Sequence, residues 1–108
     1  MTLSTHVLDT SSGRPAAGVV VRVEAFTGDG WRPVATGTTD EHGRIGDVLG
    51  SEVLERGEYR LTFEVGGYLG PDAFYPEVAV VVRVAAPDEH HHIPLLLSPF
   101  GYTTYRGS

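Results

Sequence analysis

The chain has 108 residues, 41% of them apolar and 20% charged, enough for one hydrophobic core and hence one soluble domain over residues 1–108. Fourteen carboxylates face eight basic residues, all arginine, for a net charge of −6, so nucleic acid and anionic membranes are excluded as partners by repulsion. The lack of cysteine rules out disulfides and thiolate chemistry, and with no secretory leader or membrane-length apolar run the expected location is the cytoplasm.

Strand follows strand along the chain. Leu3 to Leu8 reads as a short or edge strand, ended by Ser11-Ser12-Gly13. Val19, Val21 and Val23 then alternate with Val20, Arg22 and Glu24, a period of two with one wholly apolar face. Gly28-Asp29-Gly30 is a turn, and Trp31 to Thr38 a further short or edge strand. The turn Asp40-Glu41-His42-Gly43 leads to Arg44 at the start of another strand. Glu52 to Arg56 and Gly66 to Gly70 are the two stretches where a turn of helix fits. Tyr59, Leu61, Phe63 and Val65 form a second apolar stripe, Val78, Val80, Val82 and Val84 a third, and Ile93, Leu95 and Leu97 a fourth. Gly101 to Arg106 closes the series as another short or edge strand. Seven or eight short strands with turn signals at close spacing predict an all-β, two-sheet antiparallel sandwich with one short helix.

The chemistry-bearing residues gather at the two ends of the chain and just after the central turn. Five histidines are available, His6, His42, His90, His91 and His92. Alternate strand residues share a face, so His90 and His92 project together and His91 projects the other way. His42 and His91 are expected at the surface. A pocket of His6, His92 and Arg44 would supply two imidazoles for proton transfer and a fixed positive charge, parts suited to attack of water on a carbonyl. The segment from His90 to Ser108 keeps its apolar alternation, so it is expected to fold in and bring Ser108, with its carboxylate, to a defined place.

These residues also carry a family resemblance. Leu3-Ser4-Thr5-His6-Val7-Leu8-Asp9-Thr10 with Gly13-Arg14-Pro15-Ala16, the interior Phe74-Tyr75-Pro76-Glu77-Val78, and the ending from His92-Ile93-Pro94-Leu95-Leu96-Leu97-Ser98-Pro99 to Tyr105-Arg106-Gly107-Ser108 resemble the transthyretin-like 5-hydroxyisourate hydrolases from end to end. The Tyr-Arg-Gly-Ser ending is the most specific part, because transthyretin shares the fold without it. The resemblance implies a transthyretin-like Greek-key sandwich that opens the six-membered ring of 5-hydroxyisourate with water, in urate breakdown. The implied product is 2-oxo-4-hydroxy-4-carboxy-5-ureidoimidazoline. It further implies no metal or organic cofactor, and a homotetramer with sites at the dimer–dimer interface. By motif, His6, Arg44, His92 and Ser108 are the implied catalytic residues, and Tyr105 joins His6 and Arg44 in binding substrate. His90 and Arg106 are lesser candidates. The family often has an aromatic residue where this chain has His91. Leu95, Leu97 and Tyr102 are the residues expected to face another subunit.

Three rival readings share much of this pattern. A transthyretin-type carrier would hold a small aromatic ligand in the same channel, but would have no need of His6, Arg44, His92 and Ser108. A prealbumin-like interaction module would share the turn and alternating valines from Gly13 to Val23, but not the histidine run or the ending. A zinc hydrolase would use His90, His92 and His6 as ligands.

Overall fold

A computed structural model describes residues 2–108. Nine strands and one helical turn follow one another as β1 (Leu3–Asp9), β2 (Arg14–Pro15), β3 (Val20–Phe26), β4 (Trp31–Thr38), β5 (Arg44–Ile45), β6 (Gly57–Phe63), α1 (Gly66–Leu69), β7 (Val78–Val84), β8 (His91–Ser98) and β9 (Gly101–Thr104). They form two sheets, one in the order β2-β1-β8-β9 with β5 also paired to β1, the other in the order β4-β3-β6-β7. The two sheets enclose one core.

The four apolar stripes meet in that core. Val21 and Val23 of β3, Leu61 and Phe63 of β6, Val78 and Val84 of β7, and Leu95 and Leu97 of β8 are all buried. Each such side chain contributes roughly 1.5–3 kcal/mol on leaving water. Leu95 and Leu97 therefore point between the sheets, which overturns the expectation that they face another subunit. The surface Tyr102 remains exposed.

β1 is not an edge strand. It is flanked by β8 on one side and by β2 and β5 on the other. Its polar residues disguised it, because Thr5 and Asp9 point inward with Leu3 and Val7. Both are satisfied there: the Thr5 hydroxyl donates to the Ile93 carbonyl, and Asp9 accepts from Ser11, Ser12 and Tyr68. β1 and β8 also run parallel, the one departure from antiparallel pairing among the strands described. The helical turn falls at Gly66–Leu69, whereas residues 52–56 form none. In that stretch the Glu55 N–H donates to the Tyr59 hydroxyl at 2.8 Å instead of to a helical carbonyl.

Asp9 ties the end of β1 to α1. The Ser11 hydroxyl first, then Tyr68 and the backbone N–H groups of Ser11 and Ser12, hold its carboxyl at about 2, below the usual 3.8. A carboxyl depressed by folding adds stability that is complete above its unfolded pKa and is lost as pH falls through the folded one. Asp9→Asn is therefore expected to lower the melting temperature at neutral pH. That deficit should shrink between about pH 4 and pH 2, where the parent protein loses the same interaction. Thermal melts of both proteins across this range check it, and a deficit that does not change with pH would contradict the assignment.

Candidate active site

Alternation in β1 turns Ser4 and His6 away from the core, while Leu3, Thr5 and Val7 enter it. β8 does the same with His92, leaving His91, Ile93 and Leu95 pointing inward. The parallel register sets Ser4 opposite His92, and the antiparallel register of β5 sets Arg44 opposite His6. Three strands that are far apart in sequence thus place two imidazoles and a guanidinium on one outer face of the sheet.

Arg44 is positioned by the turn before it. The Asp40 carboxylate accepts from the backbone N–H of Arg44 at 3.0 Å and of His42 at 2.8 Å, and these two bonds hold its pKa below the usual carboxylate value. Gly43 closes the turn at φ +75°, where a Cβ would lie 2.4 Å from the Val7 carbonyl oxygen. No residue but glycine fits. The Arg44 guanidinium makes no ion pair or hydrogen bond among the described residues and is exposed, free to meet an anionic or planar ligand.

The last residues return to the same face. Tyr105 and Arg106 lie outside β9, but the Gly107 N–H donates to the His92 carbonyl at 2.8 Å and pairs the tail to β8. Ser108 then lines a cleft of about 340 Å³ with Ser4, Arg44, His90 and His92. Arg44 is also a wall of a second cleft, which holds His6, Leu8, Pro15 and His42. His6 and His92 are thus joined through Arg44. The Gly107 backbone approaches the His92 ring so closely that a Cβ there would lie 2.4 Å from Cδ2.

The surroundings of His92 suit base chemistry. Burial chiefly, then the neighbouring His90, His6 and Arg44, lowers the His92 pKa, so this ring resists protonation. His6 Nε2–H donates to the His42 carbonyl at 2.9 Å, and its Nδ1 makes no hydrogen bond among the described residues. His90 and His92 both spend a ring nitrogen on the Ser4 hydroxyl, and the other nitrogen of His90 contacts the Thr2 hydroxyl. Among the described residues, no group of three or more histidine or carboxylate side chains is arranged to hold a metal ion.

Not every expected residue joins the cleft. Tyr105 and Arg106 line a separate groove of about 350 Å³, against Val80 to Arg83, His91 and Thr104. His92 borders that groove as well, so Tyr105 lies beyond the histidine and away from Arg44. Arg106 is paired with Glu89 at 3.2 Å. His42 is exposed as expected, but His91 is not: it is 6% exposed, with Nδ1–H donating to the Glu89 carbonyl at 3.0 Å. Its inward direction follows from alternation; the covering of that position by the second sheet does not. Ser4 and Asp40 carry part of the geometry, though sequence reasoning gave neither a role at the site: Ser4 stands in the N-terminal motif two residues from His6, and Asp40 opens the turn before Arg44.

Comparison with known proteins agrees with this fold and adds a lineage. The model of the HIUase/Transthyretin family matches residues 3–107. A Salmonella dublin protein named 5-hydroxyisourate hydrolase is 43% identical over 109 residues, covering 98% of this chain and 80% of that protein. A solved structure of 5-hydroxyisourate hydrolase from Klebsiella pneumoniae superposes with a TM-score of 0.86 at 34% identity, over the whole of both chains. Sea bream transthyretin in complex with thyroxine superposes as well, with a TM-score of 0.88 at 35% identity over 99% of this chain and 95% of that one. Matching sequence from Leu3 to Gly107, and matching backbones in both branches, leave one conclusion: the chain belongs to the HIUase/Transthyretin family.

Proposed function

We propose that this protein is an enzyme of urate catabolism that hydrolyses 5-hydroxyisourate, opening the six-membered ring to give 2-oxo-4-hydroxy-4-carboxy-5-ureidoimidazoline. The observation that carries the reading is the gathering of His6, Arg44, His92 and Ser108 around two clefts that share Arg44. A carrier of an apolar aromatic ligand would bear the cost of desolvating these groups for no return. The relatives named 5-hydroxyisourate hydrolase favour the same branch of the family.

Ring opening at a cyclic amide forms one C–O bond and breaks one C–N bond. Water must lose a proton as it attacks, the carbonyl oxygen must carry negative charge, and the departing nitrogen must gain a proton. Neutral His92 takes the water proton, and Arg44 donates from its fork to the oxygens of the planar substrate. His6 is the second imidazole, placed with Arg44 to hold the ring. Ser108 presents a hydroxyl beside His92 that orients the water. No step calls for a metal or an organic cofactor. The test is direct: generate 5-hydroxyisourate from urate in situ and follow its ultraviolet decay with and without the protein. Decay that does not accelerate in proportion to protein would sink the hydrolase reading and return thyroxine-type ligand binding to the front.

The same reading includes residence in the cytoplasm and a homotetramer whose sites lie between subunits. Support for assembly comes from the open edges. β7 and β9 each end a sheet, and Val81, Phe100, Tyr102 and Tyr105 are exposed on or beside them. Unpaired edge strands with apolar side chains favour pairing with another copy. Sedimentation should give four chains per particle. A fully active monomer would refute an interfacial site.

A further inference from the structure

A line of hydrogen bonds runs from the cleft back along the β1–β8 seam. Ser4 Oγ lies 2.7 Å from His92 Nδ1 and 2.8 Å from His90 Nε2, and the Thr2 hydroxyl contacts His90 Nδ1. Ser4 is 6% exposed, whereas His90 is open to solvent. The hydrolase reading accounts for His92 alone in this chain of groups.

A hydroxyl has one proton, so Ser4 satisfies both imidazoles only by donating to one and accepting from the other. Two polarities follow. In the first, His92 Nδ1–H donates to Ser4, Ser4 donates to His90 Nε2, and His92 Nε2 is a bare lone pair. In the second, His90 Nε2–H donates to Ser4, Ser4 donates to His92 Nδ1, and His92 carries its proton on Nε2. His92 Nε2 has no hydrogen-bond partner among the described residues, so this nitrogen is left for water or substrate.

We infer that Ser4 and His90 form a proton relay behind His92, in which Ser4 is the positioning residue and His90 the proton store. The inference rests on the hydrolase reading of the cleft and extends it to two residues to which that reading gives no role. The balance closes. When water attacks, its proton goes to His92 Nε2. The Nδ1 proton passes to Ser4 Oγ, and the Ser4 proton passes to His90 Nε2. Positive charge then rests on His90, which is solvated, and leaves half-buried His92, which faces His6 from β1, Arg44 from β5 and Ser108 from the tail. When the ring nitrogen departs, it takes the proton from His92 Nε2, and the two relay transfers reverse: His90 Nε2 returns a proton to Ser4 Oγ, and Ser4 returns one to His92 Nδ1. One proton is borrowed and one returned.

The relay requires that His92 visit the tautomer with its proton on Nδ1. The imidazole ¹⁵N shifts of His92 in the unliganded protein should place its Nδ1 between a protonated and a bare nitrogen at neutral pH. In Ser4→Ala they should move to a fully bare Nδ1. In kinetics, Ser4→Ala should lower kcat by ~10–100-fold, the range of a proton-transfer contribution, with KM held within about 3-fold. Ser4→Thr, which keeps the hydroxyl, should recover most of that loss. His90→Gln, at an exposed position, should lower kcat alike, and the double variant should be no slower than Ser4→Ala alone, because the two groups act as a unit. A His92 Nδ1 that is bare in the parent protein and unchanged in Ser4→Ala overturns the relay. So does a double variant whose loss is the product of the single losses. If the parent protein fails to hydrolyse 5-hydroxyisourate, the hydrolase reading falls, while the ¹⁵N measurement still decides whether the relay exists.

Discussion

His92→Ala should lower turnover of 5-hydroxyisourate by a factor of about 10² or more, the scale for loss of a positioned acid–base group. The ring is held on one side by Ser4, on another by the backbone of Gly107, and it borders both the Ser108 cleft and the Tyr105 groove. Within the Ser108 cleft, burial lowers the pKa of this imidazole. His6→Ala should be comparably damaging, because His6 faces Arg44 across the β1–β5 register. In the parent enzyme, kcat/KM should stay level as pH falls through 6.5, the ordinary histidine value, and drop only below it, since protonation of a base with a lowered pKa comes late. Two controls separate chemistry from folding. His42→Ala should be mild, because the contact His6 makes is to the His42 backbone carbonyl. His91→Ala should lower the melting temperature more than kcat, because that ring is buried in the sandwich. If His91→Ala slows turnover as much as His92→Ala with no loss of stability, the assignment within the histidine run is wrong.

Gly107→Ala is expected to cost as much as removing a catalytic group. The added Cβ would lie 2.4 Å from Cδ2 and 3.1 Å from Cγ of His92, closer than carbon atoms approach without movement. Either the imidazole swings out of the cleft or the tail lifts and carries Ser108 with it. A displacement of only ~1 Å at a reacting group can cost ~10²-fold in rate. The core is not touched, so the melting temperature should change little. Gly101→Ala serves as the control. Its Cβ would meet the Ser98 hydroxyl at 3.6 Å, an ordinary contact, and activity should survive. Activity assays beside thermal melts decide the matter; a Gly107→Ala protein with parental kcat would mean that the tail and His92 do not depend on one another.

The inner faces of the sandwich were open to reading because burial repeats along a strand. Val21 and Val23, Leu61 and Phe63, and Leu95 and Leu97 recur every second residue, and each stripe lies in the core. Where a strand carried polar residues inward, the reading failed. Leu3 to Leu8 reads as a short or edge strand, since nothing local announces that the Ile93 carbonyl will meet Thr5 or the Tyr68 hydroxyl Asp9. Residues 52–56 failed as a helical turn for a similar reason, the Tyr59 hydroxyl taking the N–H of Glu55. The same limit applies to His91, whose direction obeyed alternation while its burial depended on the opposite sheet.

By itself the sequence determined the class of the fold, through a period of two written four times in apolar residues, and it determined the family, through motifs at both ends of the chain. It also named the groups able to do the chemistry, since only histidine, arginine and serine at those positions could move protons or bind an anion. What the groups do together was left to the tertiary structure. The parallel pairing of β1 with β8 sets Ser4 against His92, the two-residue β5 sets Arg44 against His6, and one bridge returns Gly107 and Ser108 to the same face. Each of these is a contact between residues far apart along the chain, and local periodicity carries no information about which strand lies beside which. Tyr105 shows the other side of this limit. It is one residue from the strand that should carry it to the cleft, yet the chain leaves β9 after Thr104 and turns it to the far side of His92.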